Sequence, residues 1–476
     1  MIGLGDAEWT PTLSYASARM SGIEEKRATM PRITSVATED IRFPTSLDLD
    51  GSDAVNVDPD YSTAYVTIHT DAGEAGQAFV FTGGRGNEII TGAIDSFARL
   101  LVGADVDELL ADMGAASKRL VHDSQLRWLG PEKGVTQMAC GALINALWDI
   151  RARREGKPLW LLLSELPVDE LVDIIDFTHI KDALSPDAAR DILTRGQVGK
   201  AERIASLKAD GFPAYTTSPG WLGYSDEKLV RLSKQALADG FSMVKLKVGG
   251  DIDDDRRRMR LARQAVGSLP LGIDANQRWE VSEAIAWVNR LAEFDPYWIE
   301  EPTSTDDILG FARIRAGVTP IKVATGEAVA NRIIFKQLLE ERGIDVLQLD
   351  ATRVAGVNEN VAILLLAAQF GVPVCPHAGG VGLCEVVQHF SFFDYAAVAG
   401  SQDGRMIEYV DHLHEHFAEP VRIVNGRYAA PELPGIGSEM LAASRERWAF
   451  PAGPGWQEVG LRAAVTGAEI TRDSVA

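Results

Sequence analysis

Cysteine is almost missing from this chain: Cys140, Cys375 and Cys384 are the only three in 476 residues. They are odd in number, far apart and without metal-ligand spacing. That excludes a disulfide framework and reads as reduced thiols. Positive charge is scarce too. Forty-seven Lys and Arg against 68 Asp and Glu leave a formal charge of −21. This argues against nucleic acid or an anionic membrane as partner, since both attract basic surfaces. An acidic small molecule stays open, because one local cation can capture a carboxylate. No apolar run reaches the roughly 18 residues that span a bilayer. The first 30 residues carry Asp6, Glu8, Glu24 and Glu25 and no apolar stretch of signal-peptide type. A cytoplasmic enzyme is the expectation.

Apolar residues are present in quantity. At 46% of the chain they can fill a large core, and the length suggests two or three domains. Residues 1–32 are weakly periodic and read as an N-terminal extension. Segments 33–43, 64–70 and 76–81 read as an antiparallel meander. The link 51–61 between the first two is rich in turn residues and too polar for core, so it reads as a long mobile loop. From Glu88 to about Leu163 the spacing turns helical. Strands followed by helices make an α+β unit over 33–165.

From 166 to 420 strands and helices alternate. Strands are expected at 213–217, 242–248, 271–275, 297–300, 321–325, 345–350, 373–376 and 405–409, with helices between them. Units of roughly 25 residues mean a parallel sheet, and about eight strands mean a closed α/β barrel. Residues 421–476 lose the alternation and are expected to return to the first domain.

Six of these strands end in a residue capable of chemistry: Lys247, Asp274, Glu300, Glu327, Asp350 and His377, at steps of 27, 26, 27, 23 and 27 residues. A barrel active site sits at the carboxyl ends of its strands. Taken singly, each is more often a solvated or salt-bridged group. In register, the carboxylates of Asp274, Glu300 and Glu327 converge on one volume, where like charges need a cation. All-oxygen ligands suit a hard ion, Mg²⁺ first. Lys245 and Lys247 at i and i+2 share one strand face. Two neighbouring ammonium groups are expected to lower each other's pKa, towards a general base. Asp350 beside His377 is a base–orienter pair, and the glycines of Pro376-His-Ala-Gly-Gly380 admit a close ligand. His412-Leu-His-Glu-His416 resembles a metal cluster in composition only and reads as a solvated segment. Gly83-Gly-Arg-Gly86 reads as a turn. Bases on two faces of a metal-held carboxylate describe proton abstraction beside that carboxylate.

Lys245-Leu-Lys247, Asp274-Ala-Asn276, Glu300-Glu-Pro302, Gly326-Glu327, Asp350 and His377 resemble the mandelate racemase branch of the enolase superfamily over about residues 33–460. That superfamily's Lys or His base with Mg²⁺ is a standard example of tuned acid–base chemistry. Longer strings resemble the L-fuconate dehydratases: Phe43-Pro-Thr-Ser46, Asp58-Pro-Asp-Tyr61, Gln125-Leu-Arg-Trp128, Gly130-Pro-Glu-Lys133, Trp221-Leu-Gly-Tyr-Ser225 and Cys375 through Cys384. The sequence departs from the pattern in its N-terminal extension and around 328–330. The resemblance implies a (β/α)7β-type TIM barrel with an α+β capping domain, one Mg²⁺ per subunit, a homo-oligomer, and dehydration of a sugar acid. The acid so implied is L-fuconate, or else another aldonate that is dehydrated or epimerised. It further implies Asp274, Glu300 and Glu327 as metal ligands, and Lys247 and His377, paired with Asp350, as acid/base groups. Lys245 would meet the substrate carboxylate. Gly51, Ser52, Asp53, Tyr61, Glu327, Ala378, Gly379 and Glu408 would contact substrate with Lys245 and His377, the first four as a lid.

Overall fold

The computed structural model describes residues 30–466. The expected extension lies, as far as residue 29, outside the described residues. No helix among the described residues is long and apolar enough to cross a membrane.

The meander is β1 (Ile33–Arg42), β2 (Ser62–Thr70) and β3 (Ala75–Thr82), paired antiparallel in that order. Helix α1 (Asn87–Ala98) packs on β1 and β2, and α2 (Gly134–Arg154) packs on β3. Helix α2 is buried almost all round, from Thr136 to Ile150, as a helix covered on both sides must be. On one side a Cβ at Gly76 would collide with the Ala146 carbonyl at 2.1 Å. On another, a Cβ at Gly141 would meet the Val354 carbonyl of the barrel at 2.2 Å. Both glycines are there because backbone passes backbone.

The barrel strands are β4 (Phe212–Thr216), β5 (Val244–Lys247), β6 (Leu271–Asp274), β7 (Pro296–Glu300), β8 (Lys322–Thr325), β9 (Val346–Leu347) and β10 (Ile407–Tyr409). They pair parallel in sequence order, and β10 pairs back onto β4. The seventh strand position is filled by 373–377, which makes only a bridge at Val374. Pro373 and Pro376 have no N–H to donate, which shortens the ladder there. Cys375 N to Leu347 O (2.9 Å) and His377 N to Leu349 O (3.0 Å) still hold the segment in place, and the barrel closes.

Side chains alternate along each strand with period two, and inside the barrel this makes two layers. The lower layer is Tyr215, Met243, Trp298, Ala324, Val346, Cys375 and Met406, a small separate apolar cluster. Gly272 leaves room there: a Cβ on it would press the Trp298 ring at 3.0 Å. Two residues further along the strands come Thr217, Lys245, Asp274, Glu300, Gln348, His377 and Glu408. The lower layer closes the barrel; the upper one carries chemistry.

The residues after β10 run back over the meander. Tyr65 Oη donates to the Ser438 carbonyl (3.1 Å), and Trp456 Nε1 donates to the Arg42 carbonyl (3.1 Å).

Candidate active site

Strand register sets one charged rung: Lys247 lies opposite Asp274, and Asp274 opposite Glu300. Lys247 Nζ donates to Asp274 Oδ2 (2.7 Å) and Asn276 Oδ1 (2.9 Å). Lys245, wholly buried, places Nζ 2.6 Å from Glu300 Oε1, 2.9 Å from Glu408 Oε1 and 3.3 Å from Asp274 Oδ2. The expectation that the two lysines suppress each other's charge fails here. Burial does disfavour both ammonium groups, but Asp274 at Lys247, and Glu300 with Glu408 at Lys245, outweigh it. Both stay above the ordinary lysine value. Reasoning along one strand sees the neighbouring lysine and misses the carboxylates on the next.

The carboxylates divide accordingly. Burial opposes ionisation at Asp274, yet Lys247 and Lys245 hold it well below the usual range. Glu300 is pushed well above that range by burial and by Asp274. Glu408 falls to about 2 against its burial, through Lys245 and His377. Its second oxygen accepts the Ala378 amide (2.9 Å), and Thr217 Oγ1 donates to the first.

Glu327 is the third carboxylate of the expected set. It lies on the loop after β8, with an oxygen within 4.8 Å of oxygens of Asp274 and Glu300. Asn276 Nδ2 reaches its Oε1 at 3.3 Å, while Oε2 is buried and accepts no hydrogen bond. Three convergent carboxylates with an unused buried oxygen fit a hard divalent ion such as Mg²⁺. Among the described residues no other group of His, Cys, Asp and Glu converges in this way.

His377 Nδ1 is 2.9 Å from Asp350 Oδ2, and Asp350 Oδ1 accepts Thr352 N (2.7 Å). With the carboxylate held, Nδ1 carries a proton and Nε2 faces the pocket, 3.5 Å from Glu327 Oε2. Burial works against the imidazolium, but Glu327 and Asp350 lift its pKa to about 9. Gly379 is where close approach was expected: a Cβ there would sit 3.2 Å from His377 Nε2.

Lys247, Asn276, Glu327, His377 and Glu408 line a pocket of about 470 Å³ between barrel and meander, with Lys245, Asp274, Glu300 and Asp350 buried behind them. Its outer wall holds Gly51, Asp53 and Tyr61 from the 51–61 link. The ends of that link are buried, Gly51, Ser52, Asp53 and Tyr61 among them, while its middle, Val55 to Asp58, is exposed. Its polar groups bond one another. Asp53 Oδ1 accepts the amides of Val55 (2.7 Å) and Asn56 (2.6 Å), and Ser52 Oγ donates to Val57 O (2.9 Å). Gly51 has φ +86°, and a Cβ there would strike the Tyr61 ring at 2.5 Å.

Further lining residues went unremarked in the sequence as site residues, among them Asn276, Phe81 and Arg353. Asn276 could have been found, because it stands two residues beyond Asp274 and so on the same face. Phe81 and Arg353, whose Nε donates to the Glu327 carbonyl (3.1 Å), carry no local signal. The turn expected at 83–86 is present, and Gly83, Gly84 and Arg85 line the pocket rim. The histidines of 412–416 are neither solvated nor clustered. His412 stacks on Tyr61 (5.5 Å), His414 Nδ1 meets Glu385 (2.7 Å), and His416 packs on Phe43 (4.5 Å).

Comparison with known proteins agrees with this geometry. Residues 54–164 match the mandelate racemase / muconate lactonizing enzyme N-terminal domain, and residues 228–444 match the enolase C-terminal domain-like family. The human mitochondrial enolase superfamily member 1 is 48% identical over 433 residues, 90% of this chain and 98% of that one. The chain belongs to the enolase superfamily. Within it, the crystal structure of that human protein superposes with a TM-score of 0.89 over 90% of this chain and 98% of its own. A second member, the L-galactonate dehydratase of Hypocrea jecorina, is 46% identical over 429 residues, covering 89% of this chain and 95% of that one. A more distant member is an L-talarate/galactarate dehydratase mutant solved with Mg and L-glucarate. It is 25% identical with a TM-score of 0.68, over 91% of this chain and 96% of its own.

Proposed function

We propose that this enolase-superfamily chain is a Mg²⁺-dependent hydro-lyase acting on a six-carbon sugar acid. It would remove the C2 proton and the 3-hydroxyl to give a 2-dehydro-3-deoxy acid and water. The observation that supports the reading is the placing of two proton-transfer groups, Lys247 and His377, in one pocket against three convergent carboxylates.

Lys247 takes the C2 proton in this reading: its hydrogen bonds to Asp274 and Asn276 aim the amine at that carbon, and an ion on Asp274 would offset the carboxylate charge that otherwise keeps the amine protonated. His377, held in one tautomer by Asp350 and with its pKa near 9, enters the cycle protonated. It hands that proton to the departing 3-hydroxyl. Lys245, charged and fixed between Glu300 and Glu408, receives the substrate carboxylate. Glu408 and Gly379 border the reacting carbons, and Tyr61 and the 51–53 backbone close over the outer ones. Asp274, Glu300 and Glu327 would hold the ion, which when bound supplies positive charge where proton abstraction builds negative charge on the carboxylate.

The substrate reading rests on two resemblances that share a stereochemistry. The long strings around 58–61, 125–133 and 375–384 resemble the L-fuconate dehydratases, whereas the relative at 46% identity is an L-galactonate dehydratase. L-Fuconate is 6-deoxy-L-galactonate, so the two acids match from C1 to C5 and differ at C6 alone. L-Galactonate is the first substrate to test and L-fuconate the second.

The test is turnover of purified protein against a panel of aldonates with Mg²⁺. Both L-galacto acids should react faster than their epimers. Exhaustive chelation should abolish turnover, and Mg²⁺ should restore it. Full activity after chelation removes the ligand assignment, and a preference for epimers over both acids removes the configuration.

A further inference from the structure

Two of the three convergent carboxylates stand at the ends of barrel strands, but Glu327 does not. Asp274 and Glu300 are the last residues of β6 and β7, fixed by their ladders. Glu327 is two residues past the end of β8, on the loop 326–331 that leads into α3 (Arg332–Glu340). Its position is therefore set by whatever holds that loop, a stretch that includes the 328–330 departure from the family pattern.

The far end of the loop is held from the capping region. Asn331 caps α3 through Oδ1, accepting the amides of Ile333 and Ile334 at 3.0 Å. Its Nδ2 is free for another partner and donates to the Glu132 carbonyl at 2.6 Å. Arg332 follows, 2% exposed, and its Nη1 donates to Glu132 Oε2 at 2.5 Å. The same guanidinium reaches Asp176 Oδ2 and Glu359 Oε1, each at 3.2 Å. Gln137 at the start of α2 donates to the other Glu359 oxygen (2.6 Å).

Glu132 is in an unusual state. It is 6% exposed with φ +54°, a left-handed backbone that costs a non-glycine residue free energy. Its side chain and its carbonyl are both committed to the loop after β8. Backbone strain of this kind persists only where surrounding contacts over-determine it, and here those contacts lie on residues 331 and 332. A joint meant only to hold two domains together has no need to end five residues from Glu327.

We infer that the segment 130–133 of the capping region is a clamp on the Glu327 loop, with Glu132, Asn331 and Arg332 as positioning residues for the third carboxylate. The inference rests on the reading of Glu327 as a metal ligand. Residues that orient metal ligands from behind typically change metal affinity or activity by about 10- to 100-fold when replaced. The clamp also gives the string Gly130-Pro-Glu-Lys133 a task. Its backbone turns so that Glu132 points inward while Lys133 remains outside, in an exposed pair with Asp306.

The test is Mg²⁺ titration of the chelator-treated full chain by calorimetry, without substrate. Glu132→Gln keeps the side-chain volume, and Arg332 keeps Asp176 and Glu359 as counter-charges, so the fold should survive. Asn331→Ser keeps a helix-capping oxygen and removes the amide that reaches Glu132. Each should raise the Mg²⁺ Kd about 10-fold or more, with kcat returning towards wild type at saturating Mg²⁺. Lys133→Ala, which breaks only the exposed pair, should leave the Kd unchanged. Lowered melting temperatures with an unchanged Kd in both test variants would make the contact a plain structural joint and overturn the clamp. A wild-type protein that binds no Mg²⁺ would instead overturn the ligand reading of Asp274, Glu300 and Glu327.

Discussion

Met243, just before β5, and Lys245, within it, stand two residues apart on one face of the chain, and they belong to different worlds. Met243 packs into an apolar plug with Tyr215, Trp298 and Cys375, where Tyr215 and Trp298 meet edge to face at 5.3 Å. Lys245, one layer up, has three carboxylates within 3.3 Å. The same alternation recurs at Trp298 and Glu300, at Cys375 and His377, and at Met406 and Glu408. One backbone geometry thus serves two needs. The floor has to be packed, and packing tolerates no void. The mouth has to be charged, and buried charge tolerates no missing partner. Mutations on the two layers should therefore fail in different currencies, floor variants in stability and mouth variants in turnover.

The largest expected effect tests the mouth. Lys247→Ala should lower turnover on the order of 10²–10⁴-fold, as loss of a general base does, and should stop exchange of the C2 proton with solvent deuterium. Melting temperature should change little by comparison. Exchange at the wild-type rate in that variant would move the base role to His377.

Next is the floor. Trp298→Ala removes a fully buried ring and should cost about 3–5 kcal/mol of stability, measured by denaturant unfolding. The activity of what remains folded should fall less than that of Lys247→Ala. If turnover collapses while stability holds, the two layers are not separable and the comparison fails.

The smallest effect is an expected silence. Burial pushes the Cys375 thiol up to about 12, and Cys140 and Cys384 are buried as well. At mildly alkaline pH a thiol in that state is not a thiolate, so iodoacetamide should label none of the three until the protein is unfolded. Fast labelling of Cys375 in the native enzyme would mean that water reaches the floor.

Much of this was legible in the sequence because it is local. Strand–helix alternation with a repeat near 25 residues needs only hydrophobic periodicity to be seen, and chemistry-bearing strand ends then locate the mouth. Lys245 and Lys247 share a face by period alone. What was not legible depends on partners distant along the chain. Glu132 and Arg332 are 200 residues apart. The charge state of Lys247 is set by Asp274 on the next strand. The link 51–61 reads as too polar for core, and its middle is exposed; that its ends are buried, with Ser52 and Asp53 bonding backbone within the link, depends on where the link is folded. His412, His414 and His416 looked like one motif and serve three separate contacts.

The apolar plug also makes the barrel a blind alley. Tyr215, Trp298 and their neighbours close the inner end, so among the described residues the way to the charged layer is the pocket beside Tyr61 and Asp53. Asp274 and Glu300 are wholly buried and do not themselves line that pocket. Traffic in such a passage is ordered as in a one-ended queue. An ion held by the three carboxylates would have to enter before the substrate and leave after it, and in the proposed reaction the water released would share its exit with the other product. Steady-state kinetics should then show the ion adding first in an ordered mechanism, with free chelator unable to strip it while substrate fills the mouth.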